Sequence, residues 1–206
     1  MSHPPIEAVV FDFGETLYDE TNAWSAVADA AGIPRLTFMA TLGGLIAAGR
    51  SHREIFGLFG VPEPRTWLPL DPSDLYPDAL PCLLALRARG LRLGIAANQP
   101  DRAAEIGRTL GLELDLLATS AAWGVEKPSP AFFARIASEL ALPAAAIAYV
   151  GDRVDNDVTP AAAAGMCAVF VRRGPWGWIQ CPTGSPPDAT FTVEDLGDLP
   201  AVLAGR

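Results

Sequence analysis

Short apolar runs recur along the chain at intervals that suit strands alternating with helices. The runs that predict strands lie at residues 8–13, 91–97, 114–119, 147–150, 167–171 and 190–193. The first, second and fourth are almost continuously apolar, which is typical of central parallel strands covered on both faces. Helix signals fall between them: Ser129-Pro130 opens the segment 131–140, and Gly111 closes a segment that begins at Pro100. This alternation predicts an α/β fold with a doubly wound parallel sheet.

One interval, between Tyr18 and Tyr76, contains no convincing strand. Its pattern predicts helices at 23–31 and 36–48, and a third helix opened by the capping-box sequence Ser51-His52-Arg53-Glu54. A Pro-rich stretch then leads to a helix at about 77–89. We therefore expect an α/β core formed by residues 1–17 and 77–206 and an all-helical insert at 18–76. The Pro-, Gly- and Trp-rich stretch 174–187 is expected to be a loop.

Composition narrows the class of protein. The 206 residues carry a net charge of −9 without a basic run, which argues against nucleic acid or a membrane surface as partner. No apolar run approaches the ~20 residues of a membrane span, and the N-terminus does not resemble a secretory signal. Three widely spaced cysteines suit reduced thiols in a cytoplasmic protein. Only two histidines are present, His3 and His52, so a Ser-His-Asp mechanism or a histidine zinc site is not expected.

Polar residues stand where the predicted strands end. Asp12 closes the first strand, Asn98 the second and Asp152 the fourth, and Lys127 lies in the loop after the third. In open parallel sheets, ligands bind at the carboxyl ends of the strands, near the point where the strand order reverses. We therefore expect these four side chains to converge on one crevice.

Together these residues resemble the haloacid dehalogenase superfamily, whose members are mostly Mg²⁺-dependent phosphatases. The resemblance rests on Asp12-Phe13-Gly14-Glu15-Thr16, on Ala97-Asn98, on Lys127, and on Gly151-Asp152 with Asp157. It implies a Rossmann-like core, with the helical insert acting as a small cap that closes over the active site.

The resemblance also implies roles for individual residues. Asp12 is the expected nucleophile, forming an aspartyl-phosphate. Lys127, the only lysine of the chain, is expected to contact both this aspartate and the phosphate. The expected phosphate contacts are Thr16 and the backbone at Ala97 and Asn98, and the expected Mg²⁺ ligands are Asp12, the Gly14 carbonyl, Asp152 and Asp157.

Two positions depart from the family pattern. Gly14 stands where the phosphatases carry a second aspartate, which protonates the leaving group and later activates water. Ala97 stands where a Ser or Thr usually donates a hydroxyl to phosphate, a contact worth about 1.5–3 kcal/mol. Glu15, Asp19 and Glu20 are candidate substitutes for the missing acid, although none has the family's spacing and solvated acids are the more ordinary interpretation. If no substitute exists, Gly14→Asp is expected to raise the rate of phosphate release.

Three functions remain open. The first is a phosphatase acting on a small phosphorylated metabolite, slow because general acid–base catalysis, worth about 10²–10⁴-fold, is depleted. The second is a weakly active or inactive Mg²⁺- and phosphate-binding module, and the third is a 2-haloacid dehalogenase. Family dehalogenases resemble Ser-x-Asn at the acidic loop, unlike Gly151-Asp152. The family's phosphonate hydrolases use a cap lysine, which this cap lacks.

The chain is expected to act as a monomer or homodimer. Trp176 and Trp178 are candidates either for a cleft entrance or for a subunit contact.

Overall fold

The computed structural model describes residues 4–64 and 69–205. His3 lies outside the described residues, as do the ends of the predicted core and part of the Pro-rich stretch of the insert. The strands are β1 Ala8–Phe11, β2 Arg92–Ala97, β3 Leu116–Thr119, β4 Ile147–Gly151, β5 Cys167–Val171 and β6 Phe191–Val193. The helices are α1 Thr21–Ala30, α2 Arg35–Ala47, α3 Glu54–Phe59, α4 Ala79–Ala88, α5 Ala103–Leu110, α6 Ser120–Trp123, α7 Pro130–Leu140, α8 Thr159–Ala163, α9 Gly174–Gln180 and α10 Leu199–Leu203.

The six strands form one parallel sheet in the order β3-β2-β1-β4-β5-β6. The strand order reverses between β1 and β4, where Phe11 pairs with Val150. Parallel strands need helical crossovers, and these cover both faces of the sheet. The predicted doubly wound α/β fold is confirmed.

Alternation along β1 shows how the apolar runs build two layers of core. Val9 and Phe11 pack with Leu83, among others, on one face. Ala8 and Val10 pack with Phe132, among others, on the opposite face. Because successive side chains of a strand point to opposite faces, a strand buried on both sides must be apolar throughout.

Helices α1, α2 and α3 stand between β1 and β2 in the chain and have a hydrophobic cluster of their own. The two chain segments that lead into and out of this insert pair at Tyr18 and Leu75. Half of the predicted capping box is present before α3: the Ser51 N–H donates to the Glu54 carboxylate (3.1 Å), whereas the Ser51 hydroxyl accepts from the Arg53 N–H (3.3 Å) instead of the Glu54 N–H. Within residues 4–64 and 69–205, no single helix is long and apolar enough to cross a membrane; only α1 with α2, bent by 114° at their junction, has the length and composition.

One expectation about the α/β core needs correction. The stretch 174–187 begins with a helix, α9, rather than being loop throughout. Pro175 occupies the first turn, where its missing N–H costs no hydrogen bond. Trp176 of this helix is buried in the cluster formed by α1, α2 and α3, so α9 joins the core to the insert.

Candidate active site

Asp12 follows β1 directly, and its position is fixed by the sheet. Its backbone N–H donates to the carbonyl of Val150 in β4 (2.8 Å), at the point where the strand order reverses. The residue is only 8% exposed. It lines a cleft of about 960 Å³ whose walls come both from the carboxyl edge of the sheet and from the helical insert.

Lys127 is buried beside Asp12 and joins two carboxylates. Its Nζ lies 2.8 Å from Oδ1 of Asp12 and 2.6 Å from Oδ1 of Asp157. Burial by itself lowers the pKa of an ammonium, but the two adjacent carboxylates outweigh it and raise the pKa of Lys127 well above its ordinary value. The lysine therefore carries its positive charge permanently within the site.

Asn98 holds this lysine in place. Its side-chain Oδ1 accepts from the Lys127 backbone N–H (2.8 Å), and its Nδ2 donates to the Lys127 carbonyl (2.9 Å). The side chain that follows β2 thus fixes the backbone of the loop after β3. The sequence placed Asn98 in the crevice but did not reveal this clamp, because it depends on a contact between two loops.

Three carboxylates come together at the sheet edge. One oxygen from each of Asp12, Asp152 and Asp157 lies within 4.8 Å of the others, and all three residues are buried. Oδ2 of Asp152 has no hydrogen-bond partner. Burial, followed by the charges of Asp157 and Asp12, raises the pKa of Asp152 well above its ordinary value. An unpartnered buried oxygen within a cluster of hard oxygen donors fits a Mg²⁺ ion, which prefers carboxylates and water in octahedral geometry.

Gly151 is required by the position of Asp157. Asp157 lies on a π-helical turn, Val154–Val158, and its Oδ2 accepts from the Arg153 N–H (3.0 Å). A Cβ placed on Gly151 would stand 2.6 Å from the Asp157 Cβ and closer still to its carboxyl group. Any side chain at position 151 therefore displaces this carboxylate. Burial raises the pKa of Asp157 to about 6, against the lowering effect of Lys127.

The residues predicted to contact phosphate differ in the hydrogen bonds they could offer. Thr16 is fully buried, and its Oγ1 has no hydrogen-bond partner. Ala97 is fully buried at the end of β2 and packs into the hydrophobic core. Its methyl group offers no hydrogen bond, as its residue type implied. Asn98 lines the cleft although its side chain is engaged with Lys127.

Glu20 fills the space left by the missing side chain of Gly14. A Cβ placed on Gly14 would stand 2.5 Å from Oε1 of Glu20. The Glu20 carboxylate accepts from Nε1 of Trp24 (3.3 Å) and, at 3.4 Å, from Nε2 of Gln99. Burial, followed by the charge of Asp12, raises the pKa of Glu20. Glu20 is thus not the solvated acid that its position in the sequence suggested.

The other two acids of this segment have local partners. Glu15, whose backbone φ is 54°, accepts from the Tyr76 hydroxyl (2.8 Å) and from the Glu20 N–H (3.0 Å). Burial raises the pKa of Glu15 to about 7. Asp19 accepts from the Thr21 N–H (2.8 Å) at the start of α1. Apart from the chain neighbours of Gly14, the three atoms nearest to a Cβ at residue 14 all belong to the Glu20 carboxyl group.

The two late tryptophans have different environments. Trp176 is buried, contacts the ring of His52 edge-on (5.7 Å between centroids), and lies under the guanidinium of Arg153 at 5.0 Å. Trp178 is 55% exposed. Trp176 is therefore part of the cleft wall and of the insert's core, whereas Trp178 faces outward.

Comparison with known proteins places this site in a family. The family model of the haloacid dehalogenase-like hydrolases matches residues 6–165. A glyceraldehyde 3-phosphate phosphatase of Methanopyrus kandleri is 36% identical over 104 residues, which are 48% of this chain and 44% of that protein. A protein of the same name from Methanocaldococcus jannaschii is 33% identical over 129 residues, 60% of this chain and 54% of that protein. The chain thus spans about half the length of the curated relatives it matches.

Solved structures show the same fold over the whole chain. A phosphatase of the family from Thermococcus onnurineus superposes with a TM-score of 0.67 at 24% identity and covers 98% of this chain and 99% of its own. An L-2-haloacid dehalogenase from Xanthobacter autotrophicus gives 0.69 at 23% identity, with 97% and 99% covered. Phosphatases and dehalogenases are equally similar in shape, so the fold does not choose between their chemistries.

Proposed function

The chain belongs to the haloacid dehalogenase-like hydrolases, and we propose that it is a Mg²⁺-dependent phosphatase acting through an aspartyl-phosphate on Asp12. The observation that carries the proposal is the buried arrangement of Lys127 between Asp12 and Asp157, with the unpartnered Oδ2 of Asp152 beside them. This arrangement supplies a nucleophile, a permanent positive charge and a set of hard oxygen donors at one strand edge.

Asp12, Asp152, Asp157 and the carbonyl of Gly14 would hold the ion. When bound, Mg²⁺ neutralises phosphate charge and keeps the phosphoryl group in line with the attacking oxygen. Gly14 keeps its carbonyl although it lacks a side chain, so the substitution removes no predicted ligand.

The protein's own groups account for the attack. The Asp12 carboxylate is held by Lys127 at 2.8 Å, which restricts its rotation and leaves its other oxygen for phosphorus. Lys127 also presents a positive charge to the phosphoryl oxygens, and the clamp from Asn98 limits its movement. The buried hydroxyl of Thr16 and the backbone at Ala97 and Asn98 are the proposed contacts for the phosphoryl group. Preorganised charges of this kind stabilise the transition state without reorganising during the reaction.

We further propose that residues 18–76 act as a cap over this site. The hinge pairing at Tyr18 and Leu75 and the separate hydrophobic cluster of α1, α2 and α3 support it. All proposed groups come from one chain, so a monomer suffices. The three cysteines form no disulfide, which supports a reducing compartment such as the cytoplasm.

The substrate is proposed to be a small phosphomonoester. Relatives are named as phosphatases of glyceraldehyde 3-phosphate, phosphoserine and phosphoglycolate. These three compounds, with acetyl phosphate and p-nitrophenyl phosphate, form the panel for the test. Phosphate release that requires Mg²⁺ and is lost in Asp12→Asn is the expected result.

The same panel tests the second candidate, a Mg²⁺- and phosphate-binding module, which the methyl group of Ala97 favours because it removes one phosphate contact. Absence of turnover in the wild type, with Mg²⁺ binding retained in calorimetry, would replace the phosphatase by the module. Halide release from 2-chloropropionate without metal would replace both by a dehalogenase.

A further inference from the structure

The proposed reaction leaves one proton without a source. A phosphate ester releases an alkoxide unless an acid protonates the departing oxygen, and residue 14 has no side chain to serve. Apart from the chain neighbours of Gly14, the described carboxylate nearest to this space is that of Glu20, six residues further along the chain and directly before α1.

We propose that Glu20 is the general acid and base of this protein, in place of an aspartate at position 14. The proposal rests on the proposed phosphatase function and on the geometry of one carboxylate. Oε1 of Glu20 would lie 2.5 Å from a Cβ on Gly14, so it stands where a short acidic side chain of residue 14 would begin. Both Glu20 and Asp12 line the same cleft.

Two hydrogen bonds hold the Glu20 carboxyl group beside Gly14. Trp24, one turn further along the chain, donates to Oε2, and Gln99, after β2, donates to Oε1. Both donors are neutral, so neither hydrogen bond requires the carboxyl group to be ionised. Glu15, by contrast, is tied to Tyr76, and Asp19 caps α1.

The two half-reactions balance with this one group. In the first, the Asp12 carboxylate forms a bond to phosphorus, the bond from phosphorus to the ester oxygen breaks, and the Glu20 carboxyl proton passes to that oxygen. In the second, the Glu20 carboxylate takes a proton from water, the water oxygen bonds to phosphorus, and the bond from Asp12 to phosphorus breaks. Glu20 returns to its protonated form, and the products are an alcohol and inorganic phosphate.

The position of Glu20 links proton transfer to the position of the helical insert. Residue 14 belongs to the turn after β1, whereas Glu20 is the residue before α1 and lies beyond the hinge pair of Tyr18 and Leu75. A movement of the insert therefore moves the acid as well as the cleft wall. Glu20 would therefore be in place to transfer a proton only when α1 is in the position that the structure shows.

The test compares substrates that differ in their need for an acid. Glu20→Gln keeps the size of the side chain and removes its proton transfer. Because both substrates share the second half-reaction, release of the leaving group is measured in a single turnover: we expect glycerol release from glycerol phosphate to fall about 10²–10⁴-fold, and acetate release from acetyl phosphate, whose leaving group needs no proton, to fall less than about 10-fold. The matched control Asp19→Asn keeps its cap to α1 and should lower neither rate selectively.

A rescue experiment distinguishes a role of Glu20 in proton transfer from a purely structural role. Glu20→Ala clears the space beside Gly14, and Gly14→Asp in that background should recover most of the rate on the alkyl ester. Gly14→Asp alone should change the rate less than about threefold, because it displaces one acid by another. A rise of tenfold or more in this single variant would overturn the proposal, as would equal losses of single-turnover glycerol release and acetate release in Glu20→Gln.

Failure of the phosphatase itself gives a different pattern. In that case the wild type releases no phosphate from either substrate, and the acid proposal falls with it. Turnover by the wild type that is lost in Asp12→Asn but is insensitive to Glu20→Gln would keep the phosphatase and overturn only the role of Glu20.

Discussion

Gly151→Ala tests the acidic cluster through packing alone, since it changes no charge. The added methyl group would stand 2.6 Å from the Cβ of Asp157, where carbon atoms in ordinary contact are about 3.5–4 Å apart. Asp157 must therefore shift by about 1 Å. Its carboxylate is held by Lys127 at 2.6 Å and by the Arg153 N–H at 3.0 Å, so the shift strains two hydrogen bonds that involve charge.

The expected cost follows from these contacts. Overpacking a core position costs about 1–3 kcal/mol. Weakening one charge-assisted hydrogen bond adds about 1.5–3 kcal/mol. We expect the free energy of unfolding to fall by about 2.5–6 kcal/mol, a large share of the stability of an ordinary domain.

Mg²⁺ binding gives a second measurement on the same variants. Saturating wild-type protein at 100 times the dissociation constant should raise its unfolding free energy by about 2.7 kcal/mol. A displaced Asp157 should abolish most of this increment in Gly151→Ala. Urea titrations with and without Mg²⁺ give both quantities for each variant.

Gly44→Ala is the matched control. Gly44 is an exposed residue within α2, where an added Cβ meets nothing within 4 Å, and the exchange should stabilise the helix by about 1 kcal/mol and leave the Mg²⁺ increment unchanged. An unchanged stability and an unchanged Mg²⁺ increment in Gly151→Ala would refute the reasoning, because the contact with Asp157 would then carry no energy.

Three further changes test neighbouring parts of the site. Asn98→Ala removes both hydrogen bonds to the Lys127 backbone. Steady-state kinetics should show kcat reduced about 10–100-fold, and urea titrations should show a loss of about 1–3 kcal/mol in the free energy of unfolding. An unchanged kcat would show that these hydrogen bonds do not position Lys127 for the reaction. Trp176→Ala should cost about 3–5 kcal/mol and raise KM for the substrate, since it opens a cavity between α9 and the insert; a KM equal to that of the wild type would separate Trp176 from the cleft. Burial, with the charges of Arg153 and Arg53, lowers the pKa of His52 to about 4, so the unfolded chain binds this proton first and stability is lost as pH falls from about 6.5 to 4. Relative to His52→Gln, the wild type should lose up to about 3 kcal/mol over that window in urea titrations, and parallel curves for the two proteins would contradict the assignment.

The sheet could be predicted from the sequence because its signal is local. Each central strand is apolar throughout, and the residues that end them carry the chemistry, so strand ends and site coincide at Asp12 and Asp152. The strand order β3-β2-β1-β4-β5-β6 was not predicted, because right-handed crossovers restrict the possible orders without selecting one. What the pattern predicted least well were short helices such as α9, whose apolar residues contact an element distant in sequence.

Glu20 shows the limit of spacing as evidence. Its carboxylate reaches Gly14 because the chain turns back on itself: the Glu15 N–H donates to the Tyr18 carbonyl at 2.7 Å, and the Glu20 N–H donates to the Glu15 side chain. A positive φ at Glu15 supports this turn. No periodicity in the sequence expresses such a fold-back, so a distance of six residues was no guide to proximity in space.

The charges of the site support the proposal that Mg²⁺ and phosphate bind there together. Three carboxylates and one ammonium leave −2 when all four groups are ionised. A phosphate dianion 5 Å away would be repelled by on the order of 10 kcal/mol at an effective dielectric constant of 20. A divalent cation cancels the −2, whereas a proton on Asp152 cancels only half of it. A metal-free dehalogenase would have to bring a carboxylate substrate against the same negative cluster. The buried charges therefore favour a substrate that binds together with a divalent cation, and among the candidate functions that substrate is a phosphate.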